Sequence, residues 1–183
     1  SSDACDRLRY ESIANPDLAK GDSDFRIQIY KDTDYRFLTV VDNGIGMSRD
    51  ELVENLGTIA KSGTRALVEQ IKAGGKDKLS LIGQFGVGFY ASFMVADSVQ
   101  VISRKAGEKQ AWLWESDGRT GFEIREATAE ESKKLIGDRG TAILLHIIDD
   151  ASEFLIDEKL KQVIYTYSDH INVPIYLSEK IKE

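Results

Sequence analysis

The residues with the clearest chemical potential lie in Val41-Asp42-Asn43-Gly44-Ile45-Gly46-Met47. A strand-like run over residues 35–41 delivers a carboxylate, and two glycines follow it. Asn-Gly by itself signals a tight hairpin, but a capped helix follows here in place of a returning strand. A carboxylate at a strand end can accept a hydrogen bond from an amino group on a flat heterocycle, such as the exocyclic amine of adenine. A glycine two or four places further on leaves room for such a ring against the backbone.

A second constellation is Gly83-Gln84-Phe85-Gly86-Val87-Gly88, with Phe89 opening an apolar run. Three glycines ahead of a helix allow backbone N–H groups to converge on a phosphate, and the helix N-terminus adds partial positive charge. The order G-x-x-G-x-G is neither the Rossmann fingerprint nor the P-loop, which needs Lys-Ser/Thr after its last glycine. A flexible loop with close helix packing reads the same glycines equally well. The third constellation spans residues 55–64, where Gly57 and Gly63 flank Lys61 and several hydroxyls. It reads either as a mobile basic segment folding over phosphates or as a solvated helix connection. Asp3 sits on the opening helix one turn before Arg7 and reads as a surface carboxylate or a first-turn charge.

Other reactive side chains suggest structure. His146 falls in a strand and His170 after a helix, and neither has a Cys or His at metal-ligand spacing. Cys5 lies among apolar helix positions and reads as a small buried hydrophobe. Trp112 and Trp114 share one face of a strand and read as core.

The elements that must position these groups follow from periodicity. Ala4, Cys5 and Leu8 have helical spacing. Phe25, Ile27 and Ile29 alternate with polar residues, and with residues 35–41 they predict an antiparallel hairpin. Ser48 and Glu51 predict a capping box opening a helix with Leu52 and Leu56. A further helix is predicted over residues 64–73, and the run 89–96 reads as a helix fed by the glycine loop. Strands are predicted over 98–104, 110–115, 121–125 and 141–148, with Asp117-Gly118 as a turn. A helix over 157–168 carries Leu160, Val163 and Ile164, and Pro174 releases a short strand over 175–177. Hairpins without regular strand–helix alternation predict an α+β two-layer sandwich, one largely antiparallel mixed sheet with helices on one face.

Composition sets the limits. At ~150 residues per domain, 183 residues predict a single domain, and 42% hydrophobic residues suffice for a core. A net charge of −7 argues against nucleic-acid and anionic-membrane binding, though not against a short polyanion held by local geometry. One cysteine excludes an internal disulfide. The apolar stretches fall far short of the ~20 residues of a membrane span. With no signal-peptide pattern, a cytosol-like compartment is expected. The sequence opens directly on a helical pattern, so the chain is expected to begin inside an element.

Taken together, SSDACDRLRY, VVDNGIGM, NLGTIAKSGT, IGQFGVGFY, FMVADSVQVISR, RGTAILLH and YSDHINVPIYL closely resemble the N-terminal ATP-binding domain of the ninety-kilodalton heat-shock chaperone family. The resemblance spans essentially the whole chain. YSDHINVPI and the short 106–110 loop are similar to the bacterial members, with a mitochondrial relative as the alternative. Gyrases, mismatch-repair ATPases and histidine kinases share D-x-G-x-G without the other motifs in this form.

The resemblance implies the Bergerat ATP-binding fold and a site for ATP or ADP with Mg²⁺. It matches Asp42 to the aspartate that binds the adenine amine, and Gly46 and Met47 to residues against the purine. Thr141 matches a threonine holding the water-linked adenine network. Asn55, with Leu56 beside it, and Lys61 match contacts near the sugar and phosphates. Gly83, Gln84, Phe85, Gly86, Val87, Gly88 and Phe89 match the phosphate-facing loop, and Asp3 matches an aspartate on the pocket-lining helix. Residues about 57–83 correspond to a lid that closes over ATP, with glycines suited to hinge motion.

In the family, a water-activating glutamate and a magnesium-binding asparagine fall before the position of Ser1. The resemblance therefore implies a domain cut at its N-terminal side, with no catalytic or metal-binding residue of its own. General-base catalysis contributes about 10²–10⁴-fold, so little or no turnover is expected from this chain alone. The alternative is a nucleotide- or ligand-binding module without turnover. For the whole protein the resemblance implies an ATPase whose lid closure and N-domain dimerisation remodel unfolded or partly folded client proteins. It implies a homodimer, with no nucleic-acid or membrane partner, in the cytoplasm or, alternatively, the mitochondrial matrix.

Overall fold

The structure, a computed structural model, describes residues 1–57 and 88–179. The predicted helix over 64–73 and most of the second and third constellations lie outside the described residues. Asp32 caps the first hairpin turn, its Oδ1 accepting from the N–H groups of Asp34 (3.0 Å) and Tyr35 (3.2 Å). That turn joins β1 (Ile27–Asp32) to β2 (Phe37–Asp42) in antiparallel register, with Ile27 opposite Asp42. The other strands are β3 (Ala96–Arg104), β4 (Trp112–Ser116), β5 (Glu123–Glu126), β6 (Gly140–Ile147) and β7 (Ile175–Glu179). They form one sheet in the order β5-β4-β3-β6-β2-β1-β7. Among the described residues only the β1–β7 pair is parallel. The mixed, largely antiparallel α+β sheet is the one the hairpin pattern predicts.

Directly paired residues share a face and successive residues alternate, so register assigns both sides. One face presents Leu38, Val99, Val101, Trp114, Leu145 and Ile147, packed with Leu52, Leu56, Leu155 and Leu160 from the helical layer. Phe89, Trp114 and Phe122 add edge and stacked ring contacts at 5.8 and 5.9 Å. Beside this core, Cys5 of α1 (Ser2–Ala14) packs with Ile27 and Val173. The opposite face presents Val41, Ile102, Leu113 and Ala142, covered by Ala127, Leu135 and Ile136. A short helix therefore lies on this side as well.

Three local details differ from expectation. Ser48 caps α2 (Arg49–Leu52) by accepting from the Glu51 N–H at 3.2 Å. The Glu51 carboxylate, however, turns away from the cap to pair with Lys105, so only half of that capping box forms. α2 then widens into a π-type turn, Val53–Gly57. The complete capping box belongs to a helix the periodicity did not reveal, α4 (Ala129–Leu135), where Thr128 and Glu131 exchange both bonds. The run after Gly88 is split into a 3-10 turn, Gly88–Ala91, and one turn of helix, α3 (Ser92–Val95). The late helix, α5 (Asp157–Ser168), lies where expected.

Candidate functional site

Asp42 ends β2, where strand pairing brings it opposite Thr141 on β6, and Thr141 opposite Ser103 on β3. The three side chains form a polar row on the helix-covered face, at 3, 5 and 0% exposure. The Asp42 carboxylate accepts from the Gly44 N–H at 3.0 Å. Burial raises its pKa above the ordinary carboxylate value, partly offset by the hydrogen bonds from the Gly44 N–H and the Ser1 hydroxyl. A buried, under-solvated carboxylate favours a ligand that brings a hydrogen-bond donor.

The glycines act differently from the expected ring-sized gaps. A Cβ on Gly44 would lie 2.5–2.7 Å from Ala4 and Cys5 backbone and side-chain atoms, and one on Gly46 would overlap the Arg104 carbonyl. The space at both positions is filled by the protein's own backbone. Gly44 lets α1 lie directly on the loop, and the Ile45 N–H donates to the Ala4 carbonyl at 3.1 Å. Gly46, at φ +72, turns the chain against β3, and the Ala106 N–H donates to the Ile45 carbonyl at 2.7 Å. The two glycines thus fix the Asp42 loop between α1 and the end of β3. Asn43 anchors its outer side, accepting from the Arg26 N–H at 2.8 Å and donating to the Asp24 carbonyl at 2.9 Å. Buried Arg139 donates to the carbonyls of Asn43 and Asp22.

Ser103 is the member of the row that sequence reasoning missed. Its Oγ lies 2.8 Å from the Met47 N, 2.8 Å from Thr141 Oγ1 and 3.1 Å from the Gly140 carbonyl. The signal was present: Val99, Val101 and Ser103 share the inward face of an alternating strand, and the serine is the polar exception.

The remaining predicted site residues are distributed unevenly. Met47 is half-buried against the main core, and Leu56 is part of it. Asp3 and Asn55 are exposed. Phe89 packs against Phe93 and Trp114, and Gly88 opens the 3-10 turn. Gly57 is buried beneath Phe122, whose ring lies 2.7 Å from where its Cβ would be, so at this end of the proposed lid the glycine serves packing. Lys61, Gly83, Gln84, Phe85, Gly86 and Val87 lie outside the described residues. Among the described residues no group of three or more His, Cys, Asp or Glu side chains is placed to hold a metal ion.

A cavity of about 430 Å³ opens elsewhere, lined by Lys20, Arg26, Gln28, Val41, Lys133 and Arg139 among others. Asp42 contributes to its wall, but Gln28 and Val41 belong to the sheet face opposite the Asp42 carboxylate. It is a separate polar basin, and its arginines are engaged with Asp22 and backbone carbonyls.

The family model described as histidine kinase-, DNA gyrase B- and HSP90-like ATPase matches residues 17–139, a span that includes Asp42, Met47 and Ser103. The chain belongs to that family. Its largely antiparallel sheet with helices fits the HSP90-like ATPase fold. Among similar proteins, the chaperone protein HtpG of Rhodospirillum rubrum is 51% identical over 178 residues, 96% of this chain and 27% of the relative. The chaperone protein HtpG of Paramagnetospirillum magneticum is 50% identical over all 183 residues, 28% of its length, and that of Bordetella avium is 49% identical over 180. The chain thus spans little more than a quarter of the length of the curated relatives it matches. Among the described residues no helix is long and apolar enough to cross a membrane.

Proposed function

We propose that the chain is the ATP-binding unit of a molecular chaperone and holds the adenine of ATP or ADP at Asp42. The observation that carries this is the buried Asp42–Thr141–Ser103 row at the end of three paired strands. Asp42 would accept the hydrogen bond of the exocyclic amine in a buried site. Thr141 is the adjacent polar contact, Met47 would lie against the base, and Gly46, whose Cβ space the Arg104 carbonyl fills, would hold the loop that carries it. The loop is rigid before any ligand arrives, because Gly44 and Gly46 lock it to α1 and β3, so little is lost in ordering it.

On the motifs alone, the same reading gives Asn55, Leu56, Lys61 and the residues 83–89 to the sugar and phosphates, and a closing lid to about 57–83. Asp3, exposed on the first turn of α1, would reach the ligand only from the rim. The chaperone reading rests on the relatives named chaperone protein HtpG. It extends to Mg²⁺-dependent ATP hydrolysis, dimerisation and client remodelling by the whole protein in a cytoplasmic setting. The family match favours an ATPase over a module that binds without turnover.

Calorimetric titration of ATP and ADP into the chain and its Asp42→Asn variant tests the assignment. A hydrogen bond to a charged group is worth roughly 1.5–3 kcal/mol, so the variant should bind about 10- to 150-fold more weakly. Equal affinity of the two proteins would refute a role for Asp42.

A further inference from the structure

We infer that Ser103 is a positioning residue that fixes the hydrogen-bond direction of Thr141, and thereby sharpens the site's preference for a base carrying an amino group over one carrying a carbonyl. The inference rests on the reading of Asp42 as the base-recognising carboxylate and goes one step beyond it.

The argument is a count of protons. A serine hydroxyl has one hydrogen to donate and two lone pairs to accept with. Two of the three neighbours of Ser103 Oγ leave it no choice. The Met47 N–H, at 2.8 Å, can only donate. The Gly140 carbonyl, at 3.1 Å, can only accept. All three contacts are satisfied at once only when the Ser103 proton goes to Gly140 and one lone pair accepts from Met47. The second lone pair then faces Thr141 Oγ1 at 2.8 Å, and in that fully satisfied arrangement Thr141 is the donor. Ser103 is fully buried and Thr141 nearly so, so bulk water does not compete for the contact between them.

A threonine whose proton is spent on Ser103 offers only lone pairs on its other side. Beside it in the row stands Asp42, also an acceptor. Two adjacent acceptors suit an amino group, or a bridging water that donates to Thr141, and they repel a ring carbonyl. Without the Ser103 lone pair, the Thr141 hydroxyl is free to turn and donate to a carbonyl. The backbone thus sets Ser103, Ser103 sets Thr141, and Thr141 reinforces Asp42.

The test is the ratio of affinities for ATP and inosine triphosphate, which differ by amino against oxo at the six position of the ring. Calorimetry would compare the parent chain with Ser103→Ala, Thr141→Val, the double variant and Asp42→Asn. Ser103→Ala should narrow the ATP/ITP ratio by about fivefold, the net worth of one hydrogen bond. It should add nothing in the Thr141→Val background, because Ser103 acts through Thr141. A merely structural role would weaken both nucleotides alike and leave the ratio in place. An unchanged ratio, or equal narrowing with and without the Thr141 hydroxyl, overturns the inference. If Asp42→Asn binds ATP as the parent does, the reading of the site itself has failed. If Asp42→Asn loses ATP while Ser103→Ala keeps the ratio, only the role of Ser103 has failed. Should Ser103→Ala not fold, hydroxyl-proton NMR of the parent chain decides. A slowly exchanging Thr141 hydroxyl proton directed at Ser103 supports the inference, and a Ser103 proton directed at Thr141 overturns it.

Discussion

Asp42 carries an electrostatic penalty in the folded chain, because its carboxylate is buried. Burial raises its folded pKa above the ordinary carboxylate value, so between those two values the folded chain binds the proton more readily than the unfolded one. Stability from this group therefore falls as pH rises through that window and is fully present only below it. Asp42→Asn, which keeps an oxygen for the Gly44 N–H, should make the chain more stable than the parent at pH 7. The difference should vanish in acid below the ordinary carboxylate range. Urea unfolding at a series of pH values checks both the gain and its direction. A second residue-scale prediction concerns Gly46. Its positive φ and the Arg104 carbonyl in its Cβ position mean that Gly46→Ala must displace the loop from β3. We expect a loss of at least about 1–3 kcal/mol from the strained backbone, together with weaker nucleotide binding, read by urea unfolding and calorimetry.

At the scale of elements, stability and function separate. The Thr128–Glu131 capping box starts α4 on the sheet face opposite the Asp42 row. Thr128→Ala should lower stability by about 1 kcal/mol and leave nucleotide affinity unchanged. A change in affinity would show that the two faces are coupled. Buried Lys31 ties β1 to the start of α5 through Asp157 at 2.8 Å and to β7 through Glu179 at 3.5 Å. The Lys31 side chain is mostly covered, while the Asp157 and Glu179 side chains are exposed. Removing the cation and removing its main anion are therefore unequal changes. Asp157→Asn, which leaves the ammonium only the longer contacts to Glu179 and the Leu155 carbonyl, should destabilise more than Lys31→Met in urea unfolding. The opposite order would show that the carboxylates are what the pair holds in place.

For the molecule as a whole, what could be read from sequence was local. The β1–β2 hairpin, α1, α5 and the Ser48 cap are each written in residues a few positions apart, and so are the motifs that place Asp42 at a strand end. The insertion of β6 between β2 and β3, and the parallel return of β7 onto β1, depend on contacts between distant segments that no short pattern encodes. Ser103 escaped for the same reason: its importance comes from Met47 and Gly140, which the fold brings to it. The space at Gly44 and Gly46 was misread because only the fold shows that α1 and β3 occupy it. What results is a sheet with two dissimilar faces, one carrying the buried polar row beneath the helices and the other a charged basin around Lys20 and Lys133. The central question is which face receives the nucleotide. Amide NMR of the chain titrated with ADP answers it directly. Binding at Asp42 predicts the largest shifts at Gly44, Met47, Ser103 and Thr141, with Lys20, Lys133 and Gly137 undisturbed. Shifts confined to Lys20, Lys133 and Gly137 would contradict it.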